Sequence, residues 1–117
     1  MTTMIRHNAL LAFKGSASAT QIGEMIAAFL ALRNEIPGIE RVVWGENFSQ
    51  RADGHTHVVS FDFTDRIALA AFYDHPAHKR IAETLLKPIT ASLLIVDYEE
   101  RSTSEHGGKD IAREGRS

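Results

Sequence analysis

"IERVVWGENFSQRADGHTHVVSFDF", residues 39–63, decides the fold. Its flanks, "IERVVWGENFS" and "HTHVVSFDF", are rich in β-branched and aromatic residues, and the polar "QRADG" between them reads as a turn. Two successive strands with so short a connection are antiparallel neighbours. What lies on either side of this pair then sets the topology.

Upstream, Met4 to Lys14 alternates, with Ile5, His7, Ala9, Leu11 and Phe13 on one face and Arg6, Asn8, Leu10, Ala12 and Lys14 on the other, the pattern of a strand. "GSASATQ" breaks it, and Ser18 followed by Gln21 has the spacing of a capping box that opens a helix. Ile22, Met25, Ile26, Phe29 and Arg33 fall on one helical stripe, which Pro37 and Gly38 bring to an end. Downstream, Asp65 caps a second helix running through Tyr73, Pro76 restarts a helical segment to about Leu86, Pro88 stops it, and "ITASLLIVDY" is a last strand.

The order β-α-β-β-α-β is that of an α+β, ferredoxin-like subunit: a four-stranded antiparallel sheet with both helices on one face. The other face carries Leu10, Ala12 and Val58 among Arg6, Ser60 and Asp62. A chain this small would leave that surface wet, so a homodimer packed sheet to sheet is expected.

The 117 residues, 44% of them hydrophobic, suffice for one domain with a core and are too few for two. Residues 1–98 read as that domain. Residues 99–117, "EERSTSEHGGKDIAREGRS", lose periodicity and gain Gly, Ser and charge, so they read as a mobile tail. A net charge of −2 without long runs gives no footprint for nucleic acid or an anionic membrane. The chain has no cysteine, which removes disulfides and thiolate nucleophiles; histidine, carboxylate and hydroxyl groups are left to do any chemistry. "MTTMIRHNALLAFKG" is too short and too polar for an export signal or a membrane span, and the expected compartment is the cytoplasm.

"FYDHPAHKRI", residues 72–81, is the stretch richest in chemistry. With Pro76 at the first helical position, His75 sits at the cap and His78 in the first turn, where the helix dipole disfavours imidazolium. Histidine titrates near pH ~6.5, so a small downward push leaves His78 neutral and able to act as a general base at pH 7. On the strands, His7, Ala9 and Leu11 share one face, as do His57, Val59 and Phe61, and the first helix presents Met25 and Phe29 to them. The small Ala9 leaves room for a cavity with His7 and His57 at its polar end and Phe29, Val59 and Phe61 as apolar walls, suited to a small aromatic or acyl-tailed molecule. A metal site built on His75 and His78 is not expected, because a cap residue and a first-turn residue point in different directions. Trp44 reads as a core or interface aromatic, Gly45 as a bulge, Asn47 as a loop-fixing residue, and "DFTDR" and "DYEER" as solvated ends.

Six stretches in order, "RHNALLAFK", "IPG", "WGEN", "THVVSF", "HPAH" and "VDY", resemble the stress-responsive dimeric α/β-barrel (Dabb) family from about Met4 to Tyr98. The resemblance implies a subunit whose sheet joins that of a twofold mate to form a barrel. It also points to the chemistry of a plant polyketide cyclase in the family, in which a histidine matching His78 acts as general base with a nearby tyrosine and without metal or organic cofactor. The tyrosine's matching position is Phe72, and Tyr73 stands one residue along, about 100° around a helix, which would turn it away from that place. The expected function is cofactor-independent acid–base chemistry of cyclase, lyase or isomerase type on a small aromatic or polyketide-like carbonyl compound. In that reading His78 is the base, His7 and His57 orient the substrate, and Ala9, Leu11, Met25, Phe29, Val59, Phe61, Phe72 and Tyr73 line its site. The alternative is a non-catalytic, stress-responsive ligand-binding dimer, favoured by the missing hydroxyl at Phe72.

Overall fold

The computed structural model describes residues 3–101. Strand β1 (Ile5–Phe13) leads into helix α1 (Ala19–Ala31), followed by β2 (Ile39–Glu46), β3 (His57–Phe63), α2 (Arg66–Asp74), α3 (Pro76–Ile81) and β4 (Thr90–Glu99). The sheet order is β2-β3-β1-β4, antiparallel throughout, which is the ferredoxin-like arrangement. No helix among the described residues is long and apolar enough to cross a membrane.

The helix boundaries follow local chemistry. Ser18 Oγ accepts from the Gln21 amide at 3.1 Å while the Gln21 side chain accepts from the Ser18 amide at 2.9 Å, so α1 opens on a complete capping box. Its buried stripe is Met25, Ile26 and Phe29, continued by Leu32 in the 3-10 turn Leu32–Asn34. Arg33, expected on that stripe, is exposed, because the tighter turn hands the inward position to Leu32. Gly38 then turns the chain with φ of 95°, and a Cβ there would stand 2.6 Å from that of Ala68 on α2. Only glycine allows this close seating of the α1–β2 turn against the second helix.

The second helical arm is broken rather than single. Asp65 caps α2 by accepting from the Ala68 amide at 2.8 Å, and α2 stops at Asp74 because the residue before a proline is forced to extended backbone. His75, with ψ of 134°, caps α3 through its Nδ1, which accepts from the Ala77 amide at 3.0 Å. Beyond Ile81 the helix widens into a π turn, Ala82–Leu86, where the Thr84 hydroxyl donates to the Arg80 carbonyl at 2.7 Å, and a 3-10 turn, Lys87–Ile89, follows.

Strand limits differ from the sequence reading at the β2–β3 connection. The loop takes up Asn47 to Thr56 because Asn47 folds it internally: its Nδ2 donates to the His55 carbonyl at 2.9 Å, and its Oδ1 accepts from the Ser49 amide at 3.1 Å. The bulge expected at Gly45 is absent; the β2–β3 register shifts instead between Ile39 and Arg41, and the space around a Gly45 Cβ is open. Strand β4 extends to Glu99, one residue into the expected tail, and Glu100 bonds the Met4 carbonyl. The rest of that tail, 102–117, lies outside the described residues.

Both helical arms lie on one sheet face, where Phe61, Phe63 and Phe72 are fully buried with ring centroids 5.0–6.1 Å apart. Each such side chain contributes roughly 1.5–3 kcal/mol by leaving water. The opposite face carries polar links, Arg6 to Asp62 at 2.6 Å and Ser60 to Asn8 at 2.7 Å, beside the half-exposed Val43, Leu94, Val96 and Tyr98.

Candidate functional site

Between the sheet and the second helical arm lies a cavity of about 150 Å³. The sheet supplies His7, Ala9 and Leu11 from β1, Val59 and Phe61 from β3, and Leu93 and Ile95 from β4. The helices supply Phe29, Phe72, Tyr73 and His78, with Ala82 and Leu86 from the π turn. The lining is almost wholly apolar, and its polar side chains, His7, Tyr73 and His78, gather at one end.

The sheet register builds that end. His7 on β1 stands directly opposite Asp97 on β4, a spacing that brings side chains on the same face into contact. Their Nδ1 and Oδ1 are 2.6 Å apart, so the imidazole donates from Nδ1 to the carboxylate. The Tyr73 hydroxyl donates to Asp97 Oδ2 at 3.0 Å and lies 3.2 Å from His7 Nδ1. Asp97 therefore holds both groups. Burial pushes His7 below the ordinary histidine range, against the opposing pull of the Asp97 carboxylate. Burial, reinforced by that carboxylate, pushes the Tyr73 phenol up, so it stays protonated and acts as a donor rather than as a base.

His78 comes from the other side. The break at His75–Pro76 lets its ring pack 4.3 Å from that of Phe72 and 5.9 Å from that of Tyr73. Its Nδ1 is buried with no hydrogen bond of good geometry. Burial holds His78 below the ordinary histidine range; the Tyr73 backbone pulls upward, and the nearby His7 and Lys79 add to the depression. The direction agrees with the helix-dipole expectation, but the main cause is desolvation.

Of the residues expected here, His7, Ala9, Leu11, Phe29, Val59, Phe61, Phe72, Tyr73 and His78 come together around the cavity. Two do not. Met25 faces the sheet but is sealed in the α1 core. His57 shares the inward face yet pairs with Leu11, four residues along β1 from His7 and about 13 Å away, where its ring lies parallel to Trp44 with centroids 6.0 Å apart. Tyr73, one residue along from the matching position Phe72, brings its hydroxyl to the polar end of the cavity because its long side chain at the end of α2 reaches over to Asp97 on β4, while Phe72 itself is fully buried. Sequence reasoning missed Asp97, whose place in the alternation with Leu93 and Ile95 was masked by the charged run that follows it. Among the described residues no group of three or more His, Cys, Asp or Glu side chains is arranged to hold a metal ion.

Comparison with known proteins places these features in context. The stress-response A/B barrel domain-containing protein HS1 of Arabidopsis thaliana is 30% identical over 102 residues, covering 86% of this chain and 93% of that protein. Olivetolic acid cyclase of Cannabis sativa is 29% identical over 99 residues, covering 83% and 97%. Among solved structures, hydroxynitrile lyase from Passiflora edulis shares the fold with a TM-score of 0.80 at 24% identity, covering 87% of this chain and 97% of its own. A dimeric ferredoxin-like protein of unknown function from Jannaschia sp. superposes with a TM-score of 0.72 at 29% identity, covering 83% and 99%. The model of the stress responsive A/B barrel domain, Dabb, matches residues 5–100, and the chain belongs to that family.

Proposed function

We propose that the protein is a homodimeric, cofactor-independent acid–base catalyst of cyclase or lyase type that acts on a small apolar carbonyl compound, with His78 as the base. One observation carries the reading: an apolar cavity whose polar side chains are a buried imidazole on one side and a carboxylate-held phenol and imidazole on the other. Neutral His78 takes a proton from the carbon next to the carbonyl through Nε2, and the electron pair moves onto the carbonyl oxygen. Tyr73, turning its O–H from Asp97 to that oxygen, stabilises the enolate; the enolate carbon attacks a second carbonyl carbon of the substrate, whose C=O π pair moves onto its oxygen, and protonated His78 delivers its proton to that alkoxide, a lyase running the same steps in reverse. Positioned general bases of this kind contribute roughly 10²–10⁴-fold in rate. Similarity to a cyclase over most of both chains supports the reaction class. The half-exposed apolar outer sheet face and a dimeric relative support the homodimer.

The ligand-storage alternative draws its support from the absent hydroxyl at Phe72, and the Tyr73 hydroxyl beside His7 and Asp97 counts in favour of the catalytic reading. The test needs no knowledge of the net reaction. Small aryl and alkyl methyl ketones incubated with the protein in D₂O are followed by proton NMR. Wild type is expected to exchange the α-protons of one or more of them, and His78→Gln to lose that exchange while keeping its circular dichroism. Equal exchange by the two proteins would remove His78 from the role.

A further inference from the structure

A hollow with the volume of an ordinary ligand site lies away from His78. Small-molecule sites measure about 300–1,000 Å³, and this hollow, between helix α1 and the β2 edge of the sheet, holds about 400 Å³. The first turns of α1 form one wall with Ala19, Ile22, Gly23 and Ile26. Trp44, Glu46 and His57 form the other, on the helix side of the sheet and so away from the face expected to meet a second copy.

The sheet wall presents an aromatic surface and a free negative charge. The Trp44 and His57 rings lie 8° from parallel with centroids 6.0 Å apart, the Phe13 ring meets that of His57 edge-on at 5.1 Å, and the Thr56 hydroxyl lies 2.8 Å from His57 Nδ1. This backing fixes the indole, yet Trp44 remains 45% exposed. Glu46 stands directly opposite His57 in the ladder and two residues along β2 from Trp44, on the same face. Its carboxylate is exposed and has no hydrogen-bond or ion-pair partner among the described residues.

The helix wall is kept low by a residue that packing does not require. Glycine inside a helix is a destabilising choice, and a Cβ on Gly23 would meet nothing within 4 Å. With Ala19 one turn before it, Gly23 instead leaves room in front of Trp44. An exposed indole attracts a cation, and a free carboxylate beside it attracts the same charge and accepts its hydrogens, while Ile22 and Ile26 offer apolar surface to the rest of such a molecule. We propose that this hollow binds a small organic cation, an ammonium group on an aromatic or alkyl body, with the ammonium between Trp44 and Glu46 and the body over Gly23. The site is separate from the His78 cavity and independent of the chemistry proposed there.

Trp44 is the chain's one tryptophan, so its fluorescence reports on the hollow directly. Titration with benzylammonium, benzyl alcohol and benzoate at equal ionic strength tests the proposal. Benzylammonium is expected to change the emission saturably and to bind about three- to tenfold more tightly than benzyl alcohol, with benzoate weakest. Glu46→Gln should abolish the preference for the cation over the alcohol. Gly23→Leu should block benzylammonium without lowering the thermal unfolding midpoint, a combination that a purely structural glycine would not give. His78→Gln should bind it as wild type does. Equal binding of the cation and the alcohol, a preference that survives Glu46→Gln, unimpaired binding in Gly23→Leu, loss of binding in His78→Gln, or no saturable change with any of the three compounds would overturn the site.

Discussion

Two helical arms cover the same sheet face and make opposite use of it. Helix α1 is continuous, opens on a full capping box and fills the space beneath it with Met25, Ile26, Phe29 and Leu32. The α2–α3 arm is interrupted at His75–Pro76, widened at Ala82–Leu86, and leaves a cavity between itself and β1 and β4. The unbroken apolar stripe closes on the sheet as core, whereas the broken arm buries Phe72, Ala77 and Ile81 yet leaves a space beside them, where the titratable groups gather. The difference shows how one small domain can separate the part that holds it together from the part that meets a ligand.

Substitutions in the two arms sharpen this contrast. The largest effect is expected in the α1 core, where Met25→Ala should cost about 2–5 kcal/mol in urea unfolding while leaving ketone binding unchanged. A loss well below that range would mean the α1 side is less tightly filled than described. At the joint between the arms, Gly38→Ala must adopt a positive φ and crowd Ala68, with an expected cost of about 1–3 kcal/mol by the same measurement. Removing the cap, Ser18→Ala, should cost about 1 kcal/mol. Leu93→Ala, on the open side of the cavity, should cost less than either core change because its side chain is already half in water, yet alter ketone affinity.

The mildest perturbation is acid. His7 and His78 both titrate lower folded than unfolded, so between those lowered values and pH ~6.5 the unfolded chain binds more protons. Their contribution to stability therefore rises with pH through that window and is lost as pH falls through it. Thermal unfolding midpoints followed downward from pH 7 should decline, and less steeply in His78→Gln.

Much of the fold was legible because its punctuation is local. Ser18 with Gln21, Asp65, and His75 before Pro76 set the helix starts within a turn, and period-two alternation put His7, Ala9 and Leu11 on the inward face. What alternation does not contain is position along the strand. It gave His57 the right face, but only the antiparallel register shows that it lies opposite Leu11, at the far end from His7. The same register creates the His7–Asp97 pair from residues 90 apart in the chain, which no local pattern encodes. Nor does helical phase alone place the Tyr73 hydroxyl at Asp97, since rotation about a helix fixes where a Cα–Cβ bond starts, not where a long phenol ends.

The account rests on a buried, neutral His78 facing an apolar cavity, and nitrogen-15 NMR titration of its imidazole tests this most directly. The expected result is titration below pH ~6.5 with Nε2 unprotonated in the neutral form. Titration at or above that value, or a neutral form carrying its proton on Nε2, would contradict it.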